Sequence, residues 1–349
     1  LMNDWIQTCI KTHPHCRSDE HSQLPKRVLD VGTSQDFSVR LHLSSGEQVK
    51  YAALSHRWGK ENLLKTTKNT LEARKQSIDW SDLSKTFQDA ITLSRLLNLR
   101  YLWIDSLCIV QDDLADWEVE SSKMASIYQN SYVTISANNS FGALLGERAK
   151  RKNHSGQLDV PVPGGTLVSI NARAPIDHNK FFAGSLEGAM AGFDYDYPLS
   201  TRAWCFQERL LATRVLHFTD EEIVFECKTS CECECGSISH RQYSTPLKSL
   251  YNGIIQDIFA PTSFAPNEWE GWKMIVSPYI RKDLTDPRDV LPALAGVASR
   301  VQCDKLGRYF VGLWESQLAE GLFWYTEFVN SRQPVIESAP SFSWAALAG

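Results

Sequence analysis

A glutamate stands out in the segment STRAWCFQERLL, residues 200–211, whose helical faces are otherwise suited to packing. At 3.6 residues per turn, Trp204, Glu208 and Leu211 lie along one stripe of a helix, beside a second, apolar stripe. Glu208 therefore lies next to a tryptophan and over a core. It either lies on the solvent-exposed side of an amphipathic helix or is a carboxylate held in a partly apolar pocket for a chemical role.

The structural interpretation of Glu208 is an ion pair with Arg202 or Arg209, which are both close in sequence. A catalytic Glu208 would instead be reachable by solvent and free of a bidentate arginine, with Trp204 packed beneath it. Desolvation by the indole would raise the pKa of this carboxyl, whereas a neighbouring arginine would lower it.

A second candidate segment is SHRWG, in which Ser55, His56, Arg57 and Trp58 follow a strand-like run. Side chains that follow a parallel strand lie at the edge of the sheet where ligands bind. There, His56 suits a nucleotide by hydrogen bonding, Trp58 by stacking, and Arg57 by meeting a phosphate. The alternative is a structural turn that packs on C-terminal tryptophans.

Asp105 and Cys108 lie in a third candidate segment, WIDSLCI. Asp105 follows an apolar strand and is placed to orient His56 or a ribose hydroxyl. Cys108 would be a nucleophile if His56 served as its base, but a buried cysteine is more often a small apolar side chain of a core. We favour a polar network for Asp105 and core packing for Cys108.

Two segments far apart in the sequence are rich in the residues that bind zinc. They contribute Cys9, His13, His15 and Cys16 at the N-terminus, and Cys227, Cys231, Cys233 and Cys235 in FECKTSCECECG. The alternating C-x-C-x-C spacing is not that of a zinc finger or ribbon, and its interleaved glutamates suit a strand edge. We therefore expect no metal. The sequence also lacks a P-loop and a G-x-G-x-x-G motif.

The hydrophobic pattern predicts the elements that must position these residues. Apolar residues at helical spacing predict helices over the first sixteen residues, over 83–97 and over about 116–130. YAALS, YLWIDSLCIV and YVTISA are typical of buried parallel strands, RVLDVG and SVRLHLS of a hairpin, and RVLHFTDEEIVFEC of two short strands. Alternating strands and helices predict an α/β fold with a parallel sheet flanked by helices.

Composition limits the classes of partner. The chain has 349 residues, 43% of them hydrophobic, and a net charge of -5, which gives no electrostatic footprint for nucleic acid. No apolar run is long enough to span a membrane, and the N-terminal segment lacks the apolar core of a signal peptide. We predict a cytoplasmic protein whose nine cysteines are thiols.

Four segments in order resemble the fungal heterokaryon incompatibility (HET) domain. They are YAALSHRWG, YLWIDSLCIVQDD, MASIYQNSYVTISA and STRAWCFQERLLATRVLHF. HET domains are linked to cell death when genetically unlike fungal cells fuse, and they have been proposed as remote relatives of TIR domains. The resemblance therefore implies a TIR-like (flavodoxin-like) sheet and a role in self/non-self recognition.

TIR-like enzymes cleave NAD at the nicotinamide glycosidic bond, using a glutamate in a W-C-x-x-E-L setting that Trp204, Cys205 and Glu208 resemble. On this resemblance Glu208 would be the catalytic carboxylate, with NAD as substrate and no cofactor required. Ser55, Arg57, Trp58 and Trp204 would contact the nucleotide. The longer stretch between Ser136 and Trp204 is a departure from the TIR pattern.

We divide the chain into an N-terminal helix and linker (1–24), a HET domain (25–218) with an insertion or loops (138–199), and a mixed α+β C-terminal region (219–349). Two alternatives to NAD hydrolysis remain. The first is a biosynthetic or hydrolytic enzyme on the HET scaffold that uses Cys108 and His56. The second is a non-enzymatic signalling module that acts through a protein partner or self-association.

Overall fold

The structure is a computed structural model that describes residues 1–17, 22–33, 36–58, 64–139, 143–145, 155–173, 176, 178, 182–183, 197–238, 245–246, 248, 251–253, 268–324 and 339–347. The strands are β1 (Arg27–Asp30), β2 (Arg40–Leu43), β3 (Tyr51–Ser55), β4 (Tyr101–Trp103), β5 (Val133–Ser136), β6 (Ser155–Pro161), β7 (Leu167–Arg173), β8 (Phe182–Ala183), β9 (Arg214–Phe218), β10 (Ile223–Cys227), β11 (Cys231–Cys233), β12 (Thr245–Pro246), β13 (Tyr309–Phe310) and β14 (Leu313–Trp314). The helices are α1 (Met2–Thr12), α2 (Leu71–Gln76), α3 (Lys85–Leu96), α4 (Asp105–Cys108), α5 (Leu114–Asn130), α6 (Ala203–Leu211), α7 (Glu268–Tyr279), α8 (Pro292–Val301) and α9 (Leu318–Gly321).

Eight of these strands form one sheet in the order β11-β10-β9-β5-β3-β4-β1-β2. The four central strands are parallel, since β3 pairs with β4 and β5, and β5 pairs with β9. The strands on both flanks are antiparallel. The prediction of an α/β fold with a central sheet flanked by helices is confirmed, and the parallel pairing holds for the centre of the sheet.

The order of the parallel strands creates a point where the chain changes direction. From β3 the chain moves outward to β4, and then crosses back to place β5 on the other side of β3. Loops that follow β3 and β5 therefore leave the sheet in opposite directions. Such a point opens a crevice at the carboxyl ends of the two strands, which is where open α/β sheets bind ligands.

Most of the central strands and their helices form where the hydrophobic pattern predicts, but the strand predicted over YLWIDSLCIV ends at Trp103 and is followed by the helix α4. β3 and β5 are buried along their whole length, as expected for strands covered on both faces. The helix predicted over 83–97 is α3, and Ser84 caps it by accepting a hydrogen bond from the Phe87 N–H at 3.3 Å. The helix predicted over 116–130 is α5, which begins two residues earlier and is capped by Asp113.

The C-terminal region forms a second hydrophobic core that contacts the first through α6. The rings of Trp272 and Trp314 meet edge to face with centroids 5.5 Å apart in this second core. Gly296 on α8 lies so close to α5 and α6 that a Cβ atom there would be 2.3 Å from the Ala125 Cβ and 2.7 Å from the Gln207 Oε1. Close packing of α8 on the helix that carries Glu208 therefore requires glycine.

Two further features concern the organisation of the chain. The segment 138–199, predicted as an insertion or loops, contains the antiparallel hairpin of β6 and β7. The central sheet also continues beyond residue 218 through β10 and β11. Within the described ranges, no helix combines the length and apolar character needed to cross a membrane.

Candidate active site

The carboxyl end of β3 contacts the helix that carries Glu208. Ser55 is the last residue of β3, and its hydroxyl donates a hydrogen bond to the Glu208 carboxylate. The helix α6 is held in place because Phe206 and Leu210 lie in the second core, while the N–H of Ala203 is bound by the Asp283 carbonyl at 3.0 Å. The predicted apolar stripe therefore fixes the position of the carboxylate.

Glu208 is buried, with 5% of its surface exposed. Burial raises the pKa of its carboxyl to about 7, the Ser55 hydrogen bond opposes this, and the negative charge of Asp105 adds to it. Arg202 and the Tyr128 hydroxyl lower the pKa by smaller amounts. Our expectation that a catalytic Glu208 would be reachable by solvent is not met, since the carboxyl is buried beside Ser55 of β3 and Tyr128 of α5.

Arg209, the neighbour of Glu208 in sequence, pairs with a different carboxylate. Its Nε and a terminal nitrogen donate to the two oxygens of Glu226 at 2.9 and 3.1 Å. The same carboxylate is 2.9 Å from His217 Nε2 and accepts from the Lys248 N–H at 3.0 Å, while Asn138 bonds the other nitrogen of His217 at 2.9 Å. Among the described residues, no ion pair joins Glu208 to Arg202 or to Arg209, the two partners of the structural interpretation, although the charge of Arg202 lowers the pKa of Glu208.

His56 and Asp105 lie at the ends of β3 and β4. The Nδ1 of His56 is 3.7 Å from an Asp105 oxygen, too far for a hydrogen bond, and neither ring nitrogen has a hydrogen-bond partner among the described residues. Burial lowers the pKa of His56, with the charge of Asp105 acting in the opposite sense. A buried ring with two unpaired nitrogens indicates a place for a water molecule or a ligand group.

Trp58 and Arg57 differ in their surroundings. The indole N–H of Trp58 donates to Asp105 at 2.8 Å, and the Lys65 ammonium lies 4.8 Å from its ring centre. Arg57 is exposed. Trp204, half-buried between the two cores, donates its indole N–H to Asp289 at 2.9 Å. Nucleotide contacts by these side chains remain predictions.

Cys108 does not have the surroundings of a nucleophile. It is buried in the main core, and burial raises the pKa of its thiol to about 12. The sulfur accepts from the Ile104 N–H at 3.5 Å, and no hydrogen bond among the described residues joins it to His56. This geometry agrees with core packing, the role that we favoured for Cys108.

Cys205 is a neighbour of this site that sequence analysis did not select. Burial and then the charge of Glu208 raise the pKa of its thiol well above the usual range, and Ser55 lowers it by less. The thiol is therefore neutral and contributes shape rather than reactivity. Its spacing of three residues from Glu208 on a helix was the available signal.

A small pocket lies at the carboxyl ends of β3 and β5, beside this cluster. Its lining includes Ser55, Ser136, Asn138, Cys205, Arg209 and Lys248. The cavity volume is about 20 Å³, which is room for a water molecule and far less than a nucleotide needs. Ser55 joins the pocket to Glu208 because it lines the former and hydrogen bonds to the latter.

The cysteine-rich segments contribute to two separate clusters, and within each cluster the atoms that could bind a metal lie within 4.8 Å of one another. Cys227 meets Cys9, His13 and Cys16, whereas Cys233 and Cys235 meet His178 and Glu222. Cys231 and His15 belong to neither cluster. These are the groups among the described residues that are arranged to hold a metal ion.

Comparison with protein families matches residues 51–208 to the model described as Heterokaryon incompatibility protein (HET). The chain contains a HET domain. The resemblance carried by the four sequence segments is thereby confirmed. The match begins at the first residue of β3 and ends at Glu208, so both partners of the Ser55–Glu208 contact lie in the HET domain. Searches of curated proteins and of solved structures give no match.

Proposed function

We propose that this protein acts in heterokaryon incompatibility, in self/non-self recognition that ends in cell death, and that it does so by hydrolysing NAD at the nicotinamide glycosidic bond. The observation that carries the proposal is Glu208. It is a buried carboxyl with a raised pKa, it has no arginine partner among the described residues, and it meets the carboxyl end of β3. Perturbed carboxyls in such positions are enriched at functional sites.

The strand order supports a nucleotide ligand at this point. The parallel strands follow the order second, first, third, fourth, which is the flavodoxin-like order that we infer to be TIR-like here. In that order a ligand binds between the first and third strands, which are β3 and β5. The pocket beside Ser55 lies at the carboxyl ends of these two strands.

One carboxylate suffices for the chemistry. Nicotinamide leaves NAD from a cationic state, so the reaction needs no general acid, and an oxocarbenium-like ribose is stabilised by a nearby negative charge. Water then attacks the ribose carbon, and the products are nicotinamide, ADP-ribose and a proton. With a pKa of about 7, the Glu208 carboxyl is partly protonated and partly ionised near neutral pH, and a bound cation would favour its ionised form.

The size of the pocket bears on regulation. A cavity of about 20 Å³ does not admit NAD, so substrate binding requires the segments that cover Ser55 and Glu208 to move apart. A recognition protein benefits from such a closed resting state, because uncontrolled NAD loss would kill its own cell. We propose that the trigger of the recognition response opens this crevice.

Cellular NAD content after expression of the protein tests the proposal. In cells in which the recognition response is triggered, the wild type and Glu118→Gln, a matched change of an exposed glutamate on α5, should both deplete NAD and release nicotinamide. Glu208→Gln retains an oxygen that accepts from Ser55, so it should fold but lose about 100-fold or more of the activity. Equal depletion by Glu208→Gln, or unchanged NAD with the folded wild type in cells undergoing the death response, would contradict the proposal.

A further inference from the structure

The N-terminal segment places three metal-binding side chains on one side of a short turn. Cys9 lies on α1 and His13 follows its C-terminus, one turn further along. A 3-10 turn over Pro14–Cys16 then returns the chain, so that Cys16 lies beside Cys9. The three positions form a C-x3-H-x2-C pattern, in which local geometry alone brings the side chains together.

The fourth side chain comes from the central sheet, more than two hundred residues away. Cys227 is the last residue of β10, and the backbone turns tightly after it. The N–H groups of Thr229 and Ser230 both point at its sulfur, at 3.4 and 3.2 Å. Hydrogen bonds of this kind stabilise a thiolate, and partners of this kind commonly support a metal-bound cysteine.

The distances suit a tetrahedral ion. The sulfurs of Cys9, Cys16 and Cys227 and a ring nitrogen of His13 all lie within 4.8 Å of one another. The His13 Nδ1 is 3.4 Å from the Cys227 sulfur. A zinc ion with bonds of about 2.3 Å to sulfur and about 2.0 Å to nitrogen separates its ligand atoms by roughly 3.5–3.8 Å.

We propose that Cys9, His13, Cys16 and Cys227 bind one Zn²⁺ ion. Three thiolates and an imidazole are a soft donor set that selects zinc over magnesium or calcium. Because the protein supplies all four ligands and the three cysteines are buried, the site is structural rather than catalytic. Binding displaces the thiol protons to solvent, so the site is favoured as pH rises.

The ion would fasten the N-terminal helix to the sheet. The helix α1 also packs Ile6 into the main core, the Trp5 and Phe225 ring centroids are 6.2 Å apart, and Gln7 donates a hydrogen bond to Tyr132 at 3.3 Å. The Cys16 carbonyl also accepts from Arg214 at 2.6 Å. Zinc therefore links α1 to β10, the strand that also carries Glu226.

The second cluster is a weaker candidate because its members already satisfy one another. His178 hydrogen bonds with Glu222, whose other oxygen accepts from the Cys235 N–H at 2.9 Å. The sulfurs of Cys233 and Cys235 are 3.2 Å apart. Here a carboxylate and a histidine form an ion pair that needs no cation, whereas the first cluster brings three thiols together without any charged partner among its four members.

Metal content of the full chain tests the proposal. To silence the second cluster, every protein in the series carries Cys235→Ser, is produced in zinc-supplemented medium and is purified without chelators. This background should contain one zinc per chain, and adding Cys16→Ser should remove it. Adding Cys303→Ser, a half-buried cysteine outside both clusters, should leave the zinc in place.

Replacement of zinc by Co²⁺ gives a readout that does not depend on the fate of the Cys16→Ser variant. In the Cys235→Ser background, the Co²⁺-loaded protein should show the intense absorption of tetrahedral, thiolate-bound Co²⁺. This absorption should decrease as zinc is added and displaces the cobalt. Zinc-free protein that also gives no thiolate–cobalt absorption, zinc retained after Cys16→Ser, or a disulfide between any two of the three cysteines would each overturn the proposal.

Discussion

Two buried glutamates, Glu208 and Glu226, differ in what surrounds them. Glu226 on β10 is held by both arms of Arg209 and by His217, and the opposing charges lower its pKa despite burial. Glu208 on α6 accepts a hydrogen bond from the Ser55 hydroxyl, and no cation among the described residues contacts it. Burial therefore raises the pKa of its carboxyl to about 7.

The difference teaches how a structural carboxylate is told apart from a candidate catalytic one. Arg209 is adjacent to Glu208 in sequence, yet the helix directs it away, to Glu226. Because Arg209 compensates the negative charge of Glu226, we assign Glu226 a structural role. Without such an arginine, Glu208 has a pKa near neutral, and a bound cation would favour the ionised form that the proposed chemistry requires.

The largest expected effect is that of Glu226→Gln on stability. The change removes the carboxylate that Arg209 and His217 share, and breaking one side of a buried ion pair typically costs about 3–5 kcal/mol. Denaturant unfolding at pH 7 measures the loss. Glu118→Gln, at an exposed position, should change the free energy of unfolding by less than about 0.5 kcal/mol. A loss as small as that in Glu226→Gln would contradict the assignment.

The second effect, of Glu208→Gln, has the opposite sign and depends on pH. The folded pKa of about 7 exceeds the unfolded value, so wild-type stability falls as pH rises from the unfolded pKa to the folded one. Glutamine carries no charge, so the variant should be more stable than the wild type by roughly 2–3 kcal/mol at pH 8. The two proteins should converge near pH 4. Parallel stability curves across this pH range would refute a buried, uncompensated Glu208.

The smallest effect is that of Ser55→Ala. Loss of the hydroxyl removes a hydrogen bond worth about 1 kcal/mol and raises the pKa of Glu208 further, since this hydroxyl holds it down. The fall in stability with pH should therefore extend to a higher pH. Ser131→Ala, at a fully buried serine that bonds the Tyr128 carbonyl at 2.9 Å, should lower stability similarly without moving that pH range.

The sequence was informative wherever burial is periodic along the chain. The helices α3 and α5 begin and end within two residues of their predicted bounds, because each buries apolar residues at helical spacing, such as Phe87 and Ile91 on α3 and Met124 and Ile127 on α5. The parallel centre was predictable for the same reason, since strands such as β3 are apolar on both faces. The stripe of α6 likewise indicated that Glu208 lies over a core.

Residue spacing does not predict the contacts between segments that are distant in the sequence. Glu208 has two candidate arginines nearby in sequence, but Arg209 pairs instead with a carboxylate on β10, which joins the same sheet through β9. The surroundings of Glu208 likewise depend on distant segments, since its partner Ser55 lies 153 positions earlier in the chain. Periodicity reports which side of an element is buried and not what covers it.

The cysteines show the same limit. We expected no metal because Cys227, Cys231, Cys233 and Cys235 do not have a standard zinc spacing when they are taken as one group. The structure divides them, and Cys227 joins the N-terminal segment through the pairing of β10 with β9. A ligand set split across the chain in this way has no local signature.

The most direct test of the contrast between the two carboxylates is the pKa of Glu208 itself. Carbon-13 NMR of protein labelled at the glutamate side-chain carboxyls, with the Glu208 signal identified by its loss in Glu208→Gln, follows this titration without relying on activity. The account predicts a midpoint of about 7. A midpoint at the ordinary value of 4.5 or below would show that Glu208 is compensated like Glu226, and would contradict its assignment as the reactive carboxylate.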